Sequence, residues 1–224
     1  MPREEYQERL TRLREDVLYM SEVVRERLRL GLTALENKDV EMADDVIERD
    51  AEVNELYLDL EQDCIDLLAL QQPVAGDLRF IAASFKIITD LERIGDLATN
   101  LARYAMDARR EVYPEVDIQA VGDEVGEMIE ASMAAYEESD ADACYDIAAR
   151  DDDVDAHCRE ISESVVRDLI ETQAPEGVEE TEALMQDVSR ILLTVRDLER
   201  VGDHAVNIAA RTLYMVEGDD DLIY

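Results

Sequence analysis

A fifteen-residue stretch occurs twice in this chain: Ile88–Ala102 aligns with Val195–Ala209 at an offset of 107, with nine positions identical and three exchanging one aliphatic residue for another. A shorter pair, Arg49–Asn54 against Arg150–Asp155, aligns at an offset of 101. The two pairs come in the same order, so the chain reads as one unit duplicated. A duplicated unit folds the same way twice, and its copies pack about a pseudo-two-fold. The difference of six between the offsets falls around Pro175, in the turn before the last helix. Chance in acidic helical sequence accounts for the shorter match alone. It does not account for Leu-Glu-Arg-Ile/Val-Gly-Asp twice.

The unit itself reads as three helices. Leu10, Leu13, Val17, Met20, Val24 and Leu28 recur at spacings of three and four, predicting a first helix over about 4–35. Asp39 is placed to cap a second, running to about Leu70. After the turn at 71–76 a third spans about 77–111, and Tyr113-Pro114 ends it. The second copy repeats the plan: a shorter fourth helix to about Glu138, a fifth from Ser139-Asp140 to Glu171, and a sixth from beyond Pro175-Glu176-Gly177 to about Val216. No segment reads as strand. The expected fold is all-α, two tandem three-helix bundles over residues 1–112 and 117–224.

Charge limits what such a bundle does. With 22 Lys and Arg against 57 Asp and Glu the formal net charge is −35, which repels phosphate backbones and anionic lipid surfaces. Nucleic acid is excluded as a partner; a protein or a cation is favoured. Only Lys38 and Lys86 are lysines, Trp is absent and Phe occurs twice, the amino-acid balance of halophilic archaeal proteins. In molar salt the Debye length is ~3 Å, so an acidic surface is background and one Asp or Glu marks nothing by its charge. Cys64, Cys144 and Cys158 form no CxxC pair and read as small buried residues in a reducing compartment. Met1-Pro2-Arg3-Glu4-Glu5 opens without a signal sequence, and no apolar run is long enough to span a bilayer. The expected location is the cytoplasm.

A site needs pattern, and the third helices supply it. Ile81, Phe85 and Ile88 lead at spacings of three and four into Glu92, Asp96 and Asn100; Val188, Leu192 and Val195 lead into Glu199, Asp203 and Asn207. An apolar stripe thus turns acidic at the same turn in both copies. The second helices do likewise, Val46 preceding Asp50 and Asn54, and Ile147 preceding Asp151 and Asp155. Residues four apart stand ~5–6 Å from each other on one helix face. If second and third helices meet along these stripes, the first copy gathers Asp50, Asn54, Glu92 and Asp96. The second gathers Asp151, Asp155, Glu199 and Asp203. Two unneutralised carboxylates at ~5 Å repel by about 3 kcal/mol at an effective dielectric of 20. Protons, Arg93 and Arg200, or bound cations must offset this. Oxygen donors without a shared His or Cys suit Mg, Ca, Mn or Fe more than structural Zn. Asn100 and Asn207 are weaker candidate ligands. Neither His157 nor His204 occurs in both copies, so neither belongs to the shared set, and each reads as structural or surface. Gly95 and Gly202, inside helices and between the paired acids, leave room for a neighbouring helix or a ligand.

Pro73-Val-Ala-Gly-Asp-Leu-Arg79, Leu91–Asp96 with Asn100, and Leu198–His204 with Asn207 resemble the PhoU family, regulators of phosphate uptake, over essentially the whole chain. The resemblance implies two three-helix bundles, E/D-x-x-x-D pairs that hold metal clusters (iron or zinc among them), and no catalytic activity. It implies contacts with the ATPase of the phosphate ABC transporter and with a sensor kinase, and a homodimer. Asn54 departs from the pattern, standing where an acid belongs, and leaves the first site one charge short. The leading reading is a metal-binding regulatory adaptor of phosphate transport. The alternatives are an adaptor of the same fold serving another ion transporter or channel, and a di-iron carboxylate enzyme. The enzyme predicts Glu-x-x-His pairs, but the residues three before His157 and His204 are Val154 and Val201.

Overall fold

A computed structural model of the chain describes residues 3–70, 73–107, 116–171 and 177–223. These form seven helices: α1 Arg3–Asn37, α2 Val40–Glu48, α3 Asp50–Leu70, α4 Ala75–Met106, α5 Ile118–Glu138, α6 Ala141–Glu171 and α7 Val178–Glu217. Strand is absent among the described residues. The Tyr113-Pro114 turn and the boundary at 112 lie outside them, as does most of the turn around Pro175. No described helix is long and apolar enough to cross a membrane.

The duplication is visible atom by atom where the first helix of each copy ends. Lys38 and Ser139, 101 apart, both take left-handed backbone, with φ of 54° and 58°. The following aspartates each cap the next helix: Asp39 Oδ1 accepts the Met42 N–H at 3.0 Å, and Asp140 Oδ1 accepts the Ala143 N–H at 3.1 Å. Their own N–H groups reach back to the carbonyls of Ala34 and Ala135, at 2.9 and 3.0 Å. Sequence 101 residues apart has folded into the same turn.

The copies differ in their second helix. One helix was expected from Asp39 to Leu70, because no Gly or Pro interrupts that stretch. The chain instead breaks at Arg49, with φ −89° and ψ 4°, and splits it into α2 and α3. The cause is local packing. Ala43 and Val46 of α2 bury against Ala34 of α1 and Ala102 and Ala105 of α4, in a small core of their own. Small side chains draw α2 close to that pair of helices, while α3 follows its own line along α4. In the second copy α6 runs unbroken through Arg150.

The first bundle packs α1, α2 and α3 around α4; the second packs α5 and α6 on α7; and α4 lies on α7 and α1 on α5 between them. One apolar cluster, from Tyr6 of α1 to Met215 of α7, runs through both bundles. Cys64, Cys144 and Cys158 are free thiols inside the protein, the small buried residues that their spacing suggested.

Candidate acidic sites

Each acidic pocket sits where a third helix crosses the helix before it, and a glycine sets the crossing. A Cβ on Gly95 would lie 3.0 Å from Val53 Cγ1, tighter than an ordinary contact, so α4 and α3 approach closely there and a larger residue would require Val53 to give way. A Cβ on Gly202 would lie 3.2 Å from Asp151 Oδ1 on α6. Paired carboxylates of one helix are thereby held near those of the other.

In the first pocket the carboxyls of Glu92 and Asp96 are both pushed above the usual range. For Glu92, loss of water comes first and the Asp96 charge second, with Asp50 adding to them and Arg93 opposing. For Asp96, loss of water again leads, followed by Asp50. Asp50 has its own partners: Thr99 Oγ1 donates to Oδ1 at 2.9 Å, and Asn54 Nδ2 donates to Oδ2 at 3.3 Å. Asp50, Asn54, Glu92 and Asp96 are therefore neighbours, as the stripes required.

The second pocket is more strongly charged. Burial, then Asp155, Asp203, Asp152 and Glu199, push the Asp151 carboxyl up to about 6. Glu199 and Asp203 are raised by loss of water and then by Asp155. Asp151 Oδ1 is buried and accepts no hydrogen bond. Nearby, burial and the charges of Glu199 and Asp155 push the Cys158 thiol up to about 12, so it stays protonated and offers no thiolate. His157 stands 3.3 Å from Glu124 of α5, at the side of the pocket.

The second donor set fits a hard cation: four carboxylates, with one buried oxygen left unsatisfied. Among the described residues, no three His, Cys, Asp or Glu groups are placed so as to hold a metal ion. Asn100 and Asn207 turn elsewhere. Asn100 Nδ2 donates to Asp197 at 3.4 Å, and Asn207 Nδ2 to Asp90 at 3.5 Å.

Those two contacts disclose what reading the sequence for ligands missed. Asp90 and Asp197 are one position in the two copies, both buried, each facing the other copy across the α4–α7 seam. Asp90 takes His204 and Asn207; Asp197 takes Asn100, the Tyr104 hydroxyl at 2.9 Å, and Arg196 at 2.9 Å. Their identity in both copies was the available signal. A groove of about 590 Å³ between α1 and α5, floored by Leu28 and Leu32, lies apart from both acidic pockets.

A duplicated three-helix bundle with an acidic pocket in each copy is the class of protein defined here. The chain belongs to the PhoU family: the family model for the PhoU domain matches it twice, over residues 17–105 and 118–212. A protein of Clostridium acetobutylicum named phosphate-specific transport system accessory protein PhoU homolog is 31% identical over 97% of this chain and 97% of its own. One of Methanothermobacter thermautotrophicus, PhoU homolog 1 of the same description, is 33% identical over 96% of this chain and 95% of its own. The crystal structure of PhoU from Pseudomonas aeruginosa superposes with a TM-score of 0.86 at 30% identity, covering 96% of this chain and all of that one. The phosphate transport system regulatory protein PhoU from Streptococcus pneumoniae gives the same TM-score at 25% identity, over 96% of this chain and 98% of its own.

Proposed function

We propose that this protein is a cation-binding adaptor that restrains phosphate uptake by contacting the ATPase of a phosphate ABC transporter and a sensor kinase of phosphate signalling. The observation that carries the reading is the end-to-end match to relatives named as accessory proteins of phosphate-specific transport. The acidic pockets add a means of regulation. Asp151, Asp155, Glu199 and Asp203 would hold a hard cation, which when bound cancels their mutual repulsion and fixes α6 against α7. Work by contact with proteins also suits a charge of −35, which deters nucleic acid and anionic lipid.

Deleting the gene from its host and measuring phosphate uptake in phosphate-rich medium tests the role. Uptake should rise and fall back on complementation, and the purified chain should bind the host's transporter ATPase directly. Unchanged uptake with no binding rejects the adaptor. For the pocket, Asp203→Asn should lower metal content per chain, while Asp123→Asn, which removes the same formal charge outside the motif, should leave it unchanged. Equal metal content in wild type and both variants rejects the site.

A further inference from the structure

We infer that the two acidic pockets have diverged into different devices: the second is the cation site, and the first is a closed, hydrogen-bonded copy that needs no ion. The inference rests on the reading above that the protein binds a cation, and it assigns that cation to one half.

The argument turns on one carboxylate in two settings. Asp50 and Asp151 are equivalent positions, 101 apart. Both oxygens of Asp50 are satisfied by neutral donors, Oδ1 by the Thr99 hydroxyl at 2.9 Å and Oδ2 by the Asn54 amide at 3.3 Å. The second copy has lost both donors: Asp155 stands for Asn54, at the same offset, and Val206 stands for Thr99, at the offset of 107. An amide has become a second negative charge, and a hydroxyl has become a methyl.

The outcome is visible at the atom concerned. Asp151 Oδ1 is buried without a hydrogen bond, whereas its counterpart is held by Thr99. Buried carboxylate oxygens find partners in native proteins, and one without a protein donor calls for a proton, a water or a cation. Around Asp151, Asp155, Asp203 and Glu199 supply further oxygen ligands and no donor, the composition of a hard-cation site. Around Asp50 the donors are already built in. A cation entering there would have to displace the Thr99 and Asn54 bonds and would meet three carboxylates rather than four.

Two exchanges separate the pockets, so they can be transplanted. The test uses the full chain, stripped of metal, in about 2 M KCl to screen its charge, with Mn²⁺ as the probe. Binding is read by equilibrium dialysis, and its location by paramagnetic broadening of backbone NMR signals. Broadening in the wild type should centre on Asp151, Asp155 and Asp203 and spare Asp50 and Asp96. Asp155→Asn with Val206→Thr should weaken uptake by about tenfold or more, since a charged ligand is removed and a donor restored. Asp96→Asn should leave uptake within about twofold, because a closed pocket contributes little to the total. Asn54→Asp with Thr99→Val should create a second class of binding in the first copy. Equal broadening of both pockets, or equal losses from Asp96→Asn and Asp203→Asn, overturns the division while leaving the adaptor reading intact. No saturable Mn²⁺, Fe²⁺ or Zn²⁺ uptake by the wild type overturns this inference and the cation reading together, and leaves the transporter contact to its own assay. The broadening experiment needs no variant and decides the matter even if the double variants fold poorly.

Discussion

Nδ1 of His204 on α7 lies 2.9 Å from Oδ1 of Asp90 on α4, with both side chains buried at the seam between the repeats. Leu97 holds the position that matches His204, so the seam repeats its aspartates and the asparagines that donate to them, Asn100 and Asn207, but not the histidine. Replacing His204 by that leucine leaves Asp90, among the described residues, with the 3.5 Å contact from Asn207. A buried carboxylate stripped of its main donor destabilises by about 2–3 kcal/mol. His204→Leu should lower the denaturant midpoint by that amount with an unchanged slope. An unaltered midpoint would show the contact to be incidental.

Acid should stabilise the metal-stripped protein. The Asp151 carboxyl holds its proton up to about 6 in the folded chain, against 3.8 for an unperturbed aspartate. Between those values the folded state binds more protons than the unfolded chain, so stability falls as pH rises through the window and returns as pH falls. Solvent screening at this half-buried group leaves about 1 kcal/mol of the effect. Unfolding free energies at pH 7, 5.5 and 4.5 should therefore rise in that order, with a shallower rise in Asp151→Asn. Identical slopes in the two proteins would place the effect elsewhere.

Two glycines should respond oppositely to the same substitution. Nothing lies within 4 Å of a Cβ built on Gly126 in α5, so Gly126→Ala gains helix propensity at no steric expense, about 0.5–1 kcal/mol. A Cβ on Gly31 would stand 2.8 Å from the Ala98 carbonyl oxygen of α4, a backbone atom that cannot swing aside. Gly31→Ala should lower stability by about 1–3 kcal/mol through overpacking of α1 on α4. Thermal melts of the pair check both signs. A stabilised Gly31→Ala would mean that the helices stand further apart.

Salt should raise the melting temperature. At −35 the chain repels itself, and at 0.01 M salt the Debye length of about 30 Å lets that repulsion span the molecule. The melting temperature should climb between 0.1 M and 3 M KCl, and a flat response would count against the halophilic reading of the composition.

The fold was legible because its signals were periodic. Leu13, Val17, Met20, Val24 and Leu28, chosen by spacing, are all buried, and the caps at Asp39 and Asp140 fall where short polar residues interrupt the apolar rhythm. The break at Arg49 was not legible, since it comes from alanines on three helices finding one another, a tertiary effect that no local pattern announces. The acidic sets were found because both copies carry them. That the first set is one charge short was legible from Asn54 against Asp155; the closing of Asp50 by Thr99 was not, because Thr99 lies on another helix and acts on Asp50 only after folding brings them together. Asp90 and Asp197 were in view within the longest repeated stretch but passed as two acids among many, and burial is what distinguishes them.

The interior that runs from Tyr6 to Met215 also bears on how such a chain could change over time. Gene duplication ordinarily frees one copy to drift while the other keeps the original task. Here each copy is the wall of the other's core, so along α4 and α7 a mutation accepted by one half has to be answered by the other. The acidic pockets lie on the flanks of α4 and α7 that face α3 and α6, where a change in one half need not be answered by the other. Severing the chain between its halves should accordingly release nothing: the two fragments should travel together through gel filtration, each the condition of the other's solubility.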